Sequence, residues 1–238
     1  MPNHAILTAD AHRNLKVRSD RAGDAGDAVM CAMVVPDEFR QVQNEYPILF
    51  RRNLEQDSFA AFAMFGFEDG ENLFLEGRRW AARYLPLSIA IQPFLIGRPA
   101  GIDAPERQVH IDLDSPRLGS EGVRIFEEDG SPTSYLEAVI EKLRVLDAGY
   151  AASAGFFAAL RRYDLLEPLS LEVPLPDGTT HRLVGFHVID EARLRALDPA
   201  EIAELHGAGH LMPLYMALAS LANIGALVAR KSQRLRHG

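Results

Sequence analysis

Three Asp-Gly dipeptides place the strongest constraint on the fold of this chain, because each follows an apolar run typical of a strand. They are Asp69-Gly70, Asp129-Gly130 and Asp177-Gly178. Asp-Gly favours the tight turns of antiparallel hairpins, since glycine adopts the left-handed backbone at no steric cost. The clearest example is LSLEVPLPDGTTHRLVGFHVI, where two alternating runs flank the dipeptide. The sequence therefore predicts antiparallel pairing of strands that are neighbours in the chain.

Helical patterns are interspersed with these strand candidates. Ser131-Pro132 leads into a run whose apolar residues share one helical face. The residues of that face are Tyr135, Leu136, Val139, Ile140, Leu143 and Leu146. A further helix is predicted over residues 151–163. Because no strand–helix–strand spacing repeats, the predicted fold class is α+β, an antiparallel hairpin-rich sheet with a helical C-terminal portion.

Two aspartates mark helix starts in that C-terminal portion. Asp190 stands where an N-cap is expected, with its carboxylate able to accept a backbone N–H of the first turn. Asp198 is followed by Pro199 and, three residues on, by Glu201, which is a capping-box arrangement.

Composition divides the chain into three parts. Residues 1–27 are polar and rich in Asp and Gly, so they are predicted to form an N-terminal arm. Residues 28–229 are predicted to form a single α+β domain, and residues 230–238 a solvated basic tail that contains Arg230, Lys231, Arg234 and Arg236.

Charge and cysteine content exclude some classes of function. The formal net charge of −8 argues against a nucleic-acid-binding surface. Cys31 is the only cysteine, so no disulfide joins two parts of the chain. The N-terminus lacks the apolar core of a signal peptide. A cytoplasmic location is expected, with association with the cell surface as the alternative.

The uncharged stretch from Leu211 to Ala229 is close to the length of a membrane span. Its single proline, its hydroxyls, its amide and Gly225 make it only mildly apolar, which favours a helix buried in a soluble core over a transmembrane helix. The face predicted to be buried consists of Leu211, Leu214, Leu218, Leu221, Gly225 and Val228. A homodimer through this helix is a possible arrangement.

Several segments resemble the bacterial SapC family, which is named for a surface-layer-associated protein. They include YPILF at 46–50, DGENLFL at 69–75 with Trp80, YLP at 84–86 and FEEDGSPTSYL at 126–136. The best match runs from Leu165 to Leu227. The resemblance implies a soluble protein and carries no catalytic residue set. After the YLP element, family members tend to carry a basic or aromatic pair before a Pro-Phe dipeptide. In this chain residues 88–92 precede Pro93-Phe94 and do not contain such a pair.

His110 and Asp112 suggest a metal site, because residues two apart on a strand point to the same side. With His181 or His187 they would form the two-His, one-carboxylate set of a non-haem iron oxygenase. The structural alternative is an exposed strand end. His206 and His210 have the spacing of two zinc ligands on a helix. However, Gly207 and Gly209 favour a helix that ends at Gly207 and a second helix that begins near Pro213.

Aromatic and polar residues near the junction of sheet and helices provide the predicted ligand or peptide groove. They are Asn72, Trp80, Arg83, Tyr84, Tyr215 and Asn223. Because Trp and Tyr combine contact area with a hydrogen bond, they suit recognition. Each of them would also suit a packed core.

The sequence contains none of the glycine-rich or nucleophile motifs of nucleotide, flavin or acyl-transfer sites, so no cofactor is predicted. The interpretation that follows is a non-catalytic binding or accessory protein with a protein or peptide partner in a bacterial surface or uptake pathway. The alternatives are a metal-dependent oxygenase that uses His110 and Asp112, and a structural component of a surface layer.

Overall fold

The computed structural model describes residues 3–53, 58–97, 108–174 and 180–237. The helices, in chain order, are α1 (Ala9–His12), α2 (Phe39–Val42), α3 (Leu87–Ala90), α4 (Ser134–Arg162), α5 (Glu191–Arg195), α6 (Pro199–Gly207), α7 (Leu211–Ser220) and α8 (Asn223–His237). The strands are β1 (His4–Ile6), β2 (Lys16–Val17), β3 (Cys31–Val34), β4 (Ile48–Asn53), β5 (Ser58–Met64), β6 (Leu75–Glu76), β7 (Arg79–Trp80), β8 (Phe94–Gly97), β9 (Gln108–Asp112), β10 (Leu118–Gly119), β11 (Val123–Arg124), β12 (Leu166–Pro168), β13 (Leu171–Pro174), β14 (Thr180–Leu183) and β15 (His187–Ile189).

The chain divides into two compact units. The first unit contains Met1–Ala28, Leu75–Ala81 and Leu87–Ala148. Its sheets have the strand orders β1-β9-β8, β10-β2-β11 and β6-β7, and every pair is antiparallel.

The second unit contains Val29–Phe74, Ala82–Pro86 and Gly149–Gly238. Its main sheet has the order β12-β15-β4-β5-β3, again with antiparallel pairs throughout. Four of the helices, α5 to α8, follow this sheet in the chain. The predicted α+β class with antiparallel strands and a helical C-terminal portion is therefore confirmed.

The Asp-Gly dipeptides have different surroundings. β13 and β14 pair as predicted, from Leu171↔Leu183 to Pro174↔Thr180. Their turn, with Asp177-Gly178, lies outside the described residues. Asp69-Gly70 and Asp129-Gly130 both form turns, with φ of 79° at Gly70 and 89° at Gly130.

The hairpin predicted around Asp69-Gly70 is wrong. β5 pairs with β4 on one side and with β3 on the other, and β6 pairs with β7. The register from Ile48↔Ala63 to Asn53↔Ser58 joins β5 to the apolar strand that precedes it. Both edges of β5 are thereby filled, so the run after the dipeptide pairs elsewhere.

Helix signals are more accurate than turn signals. Asp190 accepts the Arg193 N–H at 2.8 Å. Asp198 Oδ1 accepts the N–H groups of Ala200 and Glu201 at 2.8 Å, and Glu201 Oε2 accepts the Asp198 N–H at 2.9 Å. The N-cap and the capping box are thus confirmed. The two helices predicted over 135–146 and 151–163 are one continuous helix, α4.

The described part of the predicted N-terminal arm, residues 3–27, is built into the first unit. β1 pairs with β9, and β2 pairs with β10 and β11. Val17 and Asp27 are fully buried. Polar composition suggested a solvated arm, but the aspartate is paired inside the unit. The single domain over 28–229 stays a prediction.

The basic tail also differs from its prediction, because α8 continues through it to His237. The Lys231 ammonium is buried and binds the carboxylates of Glu68 and Glu71. Arg230 lies over the Phe74 ring at 4.5 Å, and Arg234 donates to the Asn72 carbonyl oxygen at 2.9 Å. These cations therefore attach α8 to the segment around residues 68–74 of the same unit.

The buried face of α7 and α8 is offset from the predicted one. Leu214, Ala217, Ser220 and Leu227 are buried, whereas Gly225 is exposed. Ser220 Oγ accepts the Ile48 N–H at 2.9 Å. This hydrogen bond turns the face of α7 that carries Ser220 inward. The outer face, which carries Met212 and Tyr215, is therefore exposed.

Candidate functional site

An apolar groove runs along the second unit between α2 and the start of α7. Its volume is about 720 Å³, within the range of about 300–1,000 Å³ common to ligand sites. We call it the α2–α7 groove. It is lined by Arg40, Gln43, His206, Gly209, Leu211, Met212, Tyr215 and Met216.

The exposed large side chains of α7 form the apolar wall of the α2–α7 groove. Met212 is 55% exposed and Tyr215 is 54% exposed, although both belong to residue types that are usually covered. Methionine adapts its shape to a partner, and tyrosine adds a rigid ring with a hydroxyl. This wall suits contact with another apolar surface.

The turn between α6 and α7 gives the groove its end. α6 ends at Gly207, and Gly209 has a left-handed φ of 75°. The His210 N–H then donates to the Leu205 carbonyl oxygen at 2.9 Å, and α7 begins at Leu211. The predicted break between His206 and His210 is confirmed, so they do not share one helical face.

A smaller recess of about 340 Å³ adjoins the groove. It shares Arg40, Met212 and Met216 with the groove and extends to Ser153 and Phe156 of α4. The Ser153 hydroxyl donates to the Tyr150 carbonyl oxygen at 2.8 Å, so this hydroxyl is used within α4. The recess therefore extends the groove toward α4.

His210 forms part of the wall of the recess. Its ring packs edge-on against Phe156 with 5.8 Å between the ring centres. Burial lowers the pKa of His210 below its usual value. The imidazole is therefore neutral at pH 7 and adds a mostly apolar ring to the wall.

Arg40 is the cation of the α2–α7 groove. It is exposed, and its Nη2 lies 3.0 Å from Met212 Sδ. A thioether sulfur is a weak acceptor and carries no charge. Among the described residues Arg40 forms no ion pair. Its guanidinium is thus held at the groove with its charge unneutralised.

A second, polar cleft contains two of the predicted ligand residues. Arg83 and Tyr84 line it together with Gln41, Asn44 and Glu45, and its volume is about 650 Å³. The Arg83 backbone N–H donates to Glu45 Oε2 at 2.8 Å. Arg83 and Tyr84, which are neighbours in the chain, share this cleft, whereas Tyr215 lines the α2–α7 groove.

Tyr84 is bound on its inner side. Its hydroxyl donates to Glu38 Oε1 at 2.8 Å, and its carbonyl oxygen accepts the Tyr46 hydroxyl. Burial, together with the Glu38 carboxylate, raises the pKa of Tyr84 well above its usual value. The phenol is therefore a fixed donor at neutral pH, and it positions the wall of the cleft.

The remaining predicted ligand residues have structural contacts. Asn72 is buried, and its Oδ1 accepts the Phe74 N–H at 3.0 Å. Asn223 Nδ2 donates to the Gln43 carbonyl oxygen at 2.8 Å. Trp80 is buried on β7 of the first unit. A shared role of the six residues in ligand binding stays a prediction.

The residues of the metal hypothesis lie in both units. His110 and Asp112 are on β9 of the first unit, and His187 is on β15 of the second. The His110 ring lies against Gly97, where an added Cβ would come within 2.0 Å of Nε2. Asp112 Oδ1 accepts the Asp114 N–H at 3.1 Å. Both side chains thus serve the local strand and turn.

No group of three or more His, Cys, Asp or Glu residues within the described ranges could hold a metal ion. Burial and the nearby Arg52 charge lower the pKa of His187, and its ring packs against Phe59. Nothing in the described residues supports the oxygenase alternative.

Sequence reasoning missed Arg40, Met212 and Met216 as site residues. Met212, Tyr215 and Met216 do recur at helical spacing in an uncharged segment. That signal could have indicated a contact face, but burial of the whole helix was the simpler interpretation. Arg40 gave no signal, because it reaches Met212 only across 172 residues of chain.

Over the part of the chain that the structure describes, the Leu211–Arg236 stretch has the length of a membrane span, and an apolar 18-residue window within it has a mean hydropathy of 1.7. Only 22% of its apolar window is buried. One such stretch is weak evidence for a span, because apolar helices of soluble proteins share both properties. The homodimer predicted through this helix stays a prediction.

Comparison with known proteins gives one positive result. The family model described as SapC matches residues 7–227 of the 238-residue chain. No curated protein and no solved structure matches the chain. The match includes most of both compact units and all of the residues that line the α2–α7 groove, and it agrees with the resemblance seen in YPILF, DGENLFL and the Leu165–Leu227 block. The chain therefore belongs to the SapC family.

Proposed function

We propose that the protein is a non-catalytic binding protein that holds a protein or peptide partner in the α2–α7 groove. The observation that carries this proposal is the pair of half-exposed side chains, Met212 and Tyr215, on one wall of a groove of about 720 Å³. Large apolar side chains that form a concave surface are typical of contact sites.

The chemistry of the groove supports binding rather than turnover. Its described lining contains two titratable rings, His206 and Tyr215, and no cysteine, serine or carboxylate. Elsewhere in the second unit, burial raises the pKa of the Cys31 thiol, as expected for an inert cysteine. A groove with apolar contacts and one cation recognises a ligand without needing to activate it.

The SapC family takes its name from a surface-layer-associated protein. That association motivates the finer part of the proposal, in which the partner belongs to a bacterial surface or uptake pathway. The groove supports a role in recognition, and the family name suggests where recognition takes place.

A displayed library of random 12-residue peptides tests the binding role. The immobilised full chain should enrich a family of peptides with bulky apolar residues. Tyr215→Ser should weaken the enriched peptides by about tenfold, the effect expected when a tyrosine is removed from the centre of a contact.

Val184→Ser is the matched control, because Val184 is an exposed apolar residue of the same unit, at 59%, and does not line the groove. It should leave binding unchanged. The proposal is overturned if no peptide family is enriched, or if Tyr215→Ser and Val184→Ser have equal effects.

A further inference from the structure

The charges around the α2–α7 groove are unequal. Its described lining includes the guanidinium of Arg40 but no carboxylate. The whole chain, in contrast, has a formal net charge of −8. The groove is therefore a local positive site on an acidic protein.

Arg40 is also free to bind an anion. Its described contact is with Met212 Sδ, and it forms no ion pair within the described residues. Arg162 of the same unit differs from Arg40 in this respect, because its guanidinium pairs with the Glu204 carboxylate. An exposed arginine held beside apolar side chains keeps its remaining guanidinium donors available to an incoming group.

From this arrangement we infer that the partner segment carries a carboxylate next to a bulky apolar side chain. The carboxylate pairs with Arg40, and the apolar side chain packs on Met212 and Tyr215. This inference rests on the proposed function and specifies the chemistry of the partner. Arginine and carboxylate form paired hydrogen bonds of matching geometry, and the apolar wall removes water from one side of the pair.

The partner segment is expected to carry about one carboxylate, because the surroundings of the groove disfavour a second. Asp37 lines the adjoining recess, which Arg40 also lines. A second acid near Asp37 would meet a like charge, and the field of the acidic protein repels strongly anionic peptides. The groove thus selects an apolar segment with a single acid rather than a polyacidic one.

The library selection tests this inference through the composition of the enriched peptides. Wild-type protein should enrich peptides with one Asp or Glu at a fixed distance from an aromatic or branched aliphatic residue. Arg40→Gln should still enrich apolar peptides but lose the acid. Asp37→Asn should permit a second acid.

Binding of the enriched peptides is then measured by fluorescence anisotropy with matched synthetic pairs, in which the acid is replaced by its amide. On wild-type protein the replacement should weaken binding about fivefold, the effect of one partly exposed ion pair. On Arg40→Gln it should change binding less than twofold. Arg236→Gln is the control, because it removes an exposed positive charge outside the groove.

The outcomes separate the two proposals. Enriched peptides without an acid, or an amide effect that persists in Arg40→Gln, overturn the inference and leave the binding role intact. Enrichment of basic or polyacidic peptides overturns the inference as well. If no peptide family is enriched, both proposals fail.

Discussion

A buried ion pair in the first unit provides the sharpest test of how the N-terminal residues fold. Asp27 is fully buried, and Arg117 is 1% exposed. The Asp27 carboxylate accepts from the Arg117 guanidinium, and from Arg21 Nη1 at 3.4 Å. Its other oxygen accepts the Ala22 N–H at 2.9 Å. Asp27→Asn keeps the size of the side chain and removes the charge that two guanidinium groups face.

Breaking a buried ion pair by removing one partner costs about 3–5 kcal/mol, because the other charge stays buried without compensation. Arg117 also donates to the carbonyl oxygens of Arg18 and Asp20 at 3.2 and 3.0 Å, which retains part of its solvation. We therefore expect a loss near the lower end, about 3 kcal/mol of unfolding free energy. With a typical urea slope, that loss moves the midpoint by at least about 1 M.

The fluorescence of Trp80 is a suitable assay, since it is the only tryptophan and lies in the same unit as Asp27. Asp24→Asn is the control, because Asp24 is exposed and pairs with Arg18 at 3.2 Å on the surface. It should leave the urea midpoint unchanged. Equal midpoints for Asp27→Asn and wild type, or equal shifts for the two variants, would refute the buried ion pair as a main support of this unit.

Three further predictions concern the second unit. Lys231→Met should lower the unfolding free energy by about 1–3 kcal/mol in urea titrations, since it leaves two carboxylates facing each other, and an unchanged midpoint would restore the solvated-tail interpretation. Ser220→Ala should cost about 1–3 kcal/mol, because the buried Ile48 N–H loses its acceptor; protection of that amide from hydrogen exchange should fall, and undiminished protection would contradict the contact. Burial lowers the pKa of His210 in the folded chain. Below about pH 6.5 the unfolded chain therefore binds a proton at this residue more readily than the folded chain does, and the free energy of unfolding should fall from pH 7 to pH 5. His210→Gln should reduce that fall, and identical pH profiles would contradict the cause given for it.

Local signals predicted the parts of the fold that depend on nearby residues. The capping box of Asp198 and Glu201 and the pairing of β13 with β14 involve groups within a few residues of one another. Their chemistry is fully written in a short segment, so the sequence indicates them directly.

Long-range charge pairing could not be predicted in the same way. Asp27 and Arg117 are 90 residues apart, and Lys231 is 160 residues from Glu71. Each charged residue stands in a polar segment, which is typical of solvated chain. Only the fold shows that a partner of opposite charge lies beside it.

The groove depends on the rotation of α7 and α8 about their axes. A leucine-based pattern predicted Leu218 and Val228 to face inward. The actual orientation follows Ser220 and Asn223, whose side chains bind the backbone of Ile48 and Gln43. Because those acceptor and donor groups belong to another part of the chain, the exposed face with Tyr215 could not be assigned from the helix sequence alone.

Methyl NMR of the full chain labelled with ¹³C at methionine tests the central claim most directly. The chain has 6 methionines; Met212 and Met216 line the groove, and Met33 is an exposed methionine, at 38%, on β3 of the same unit. Addition of the tightest enriched peptide should shift the Met212 and Met216 signals in a saturable way and leave the Met33 signal in place. Shifts at Met33 without shifts at Met212 and Met216 would contradict the α2–α7 groove as the binding site.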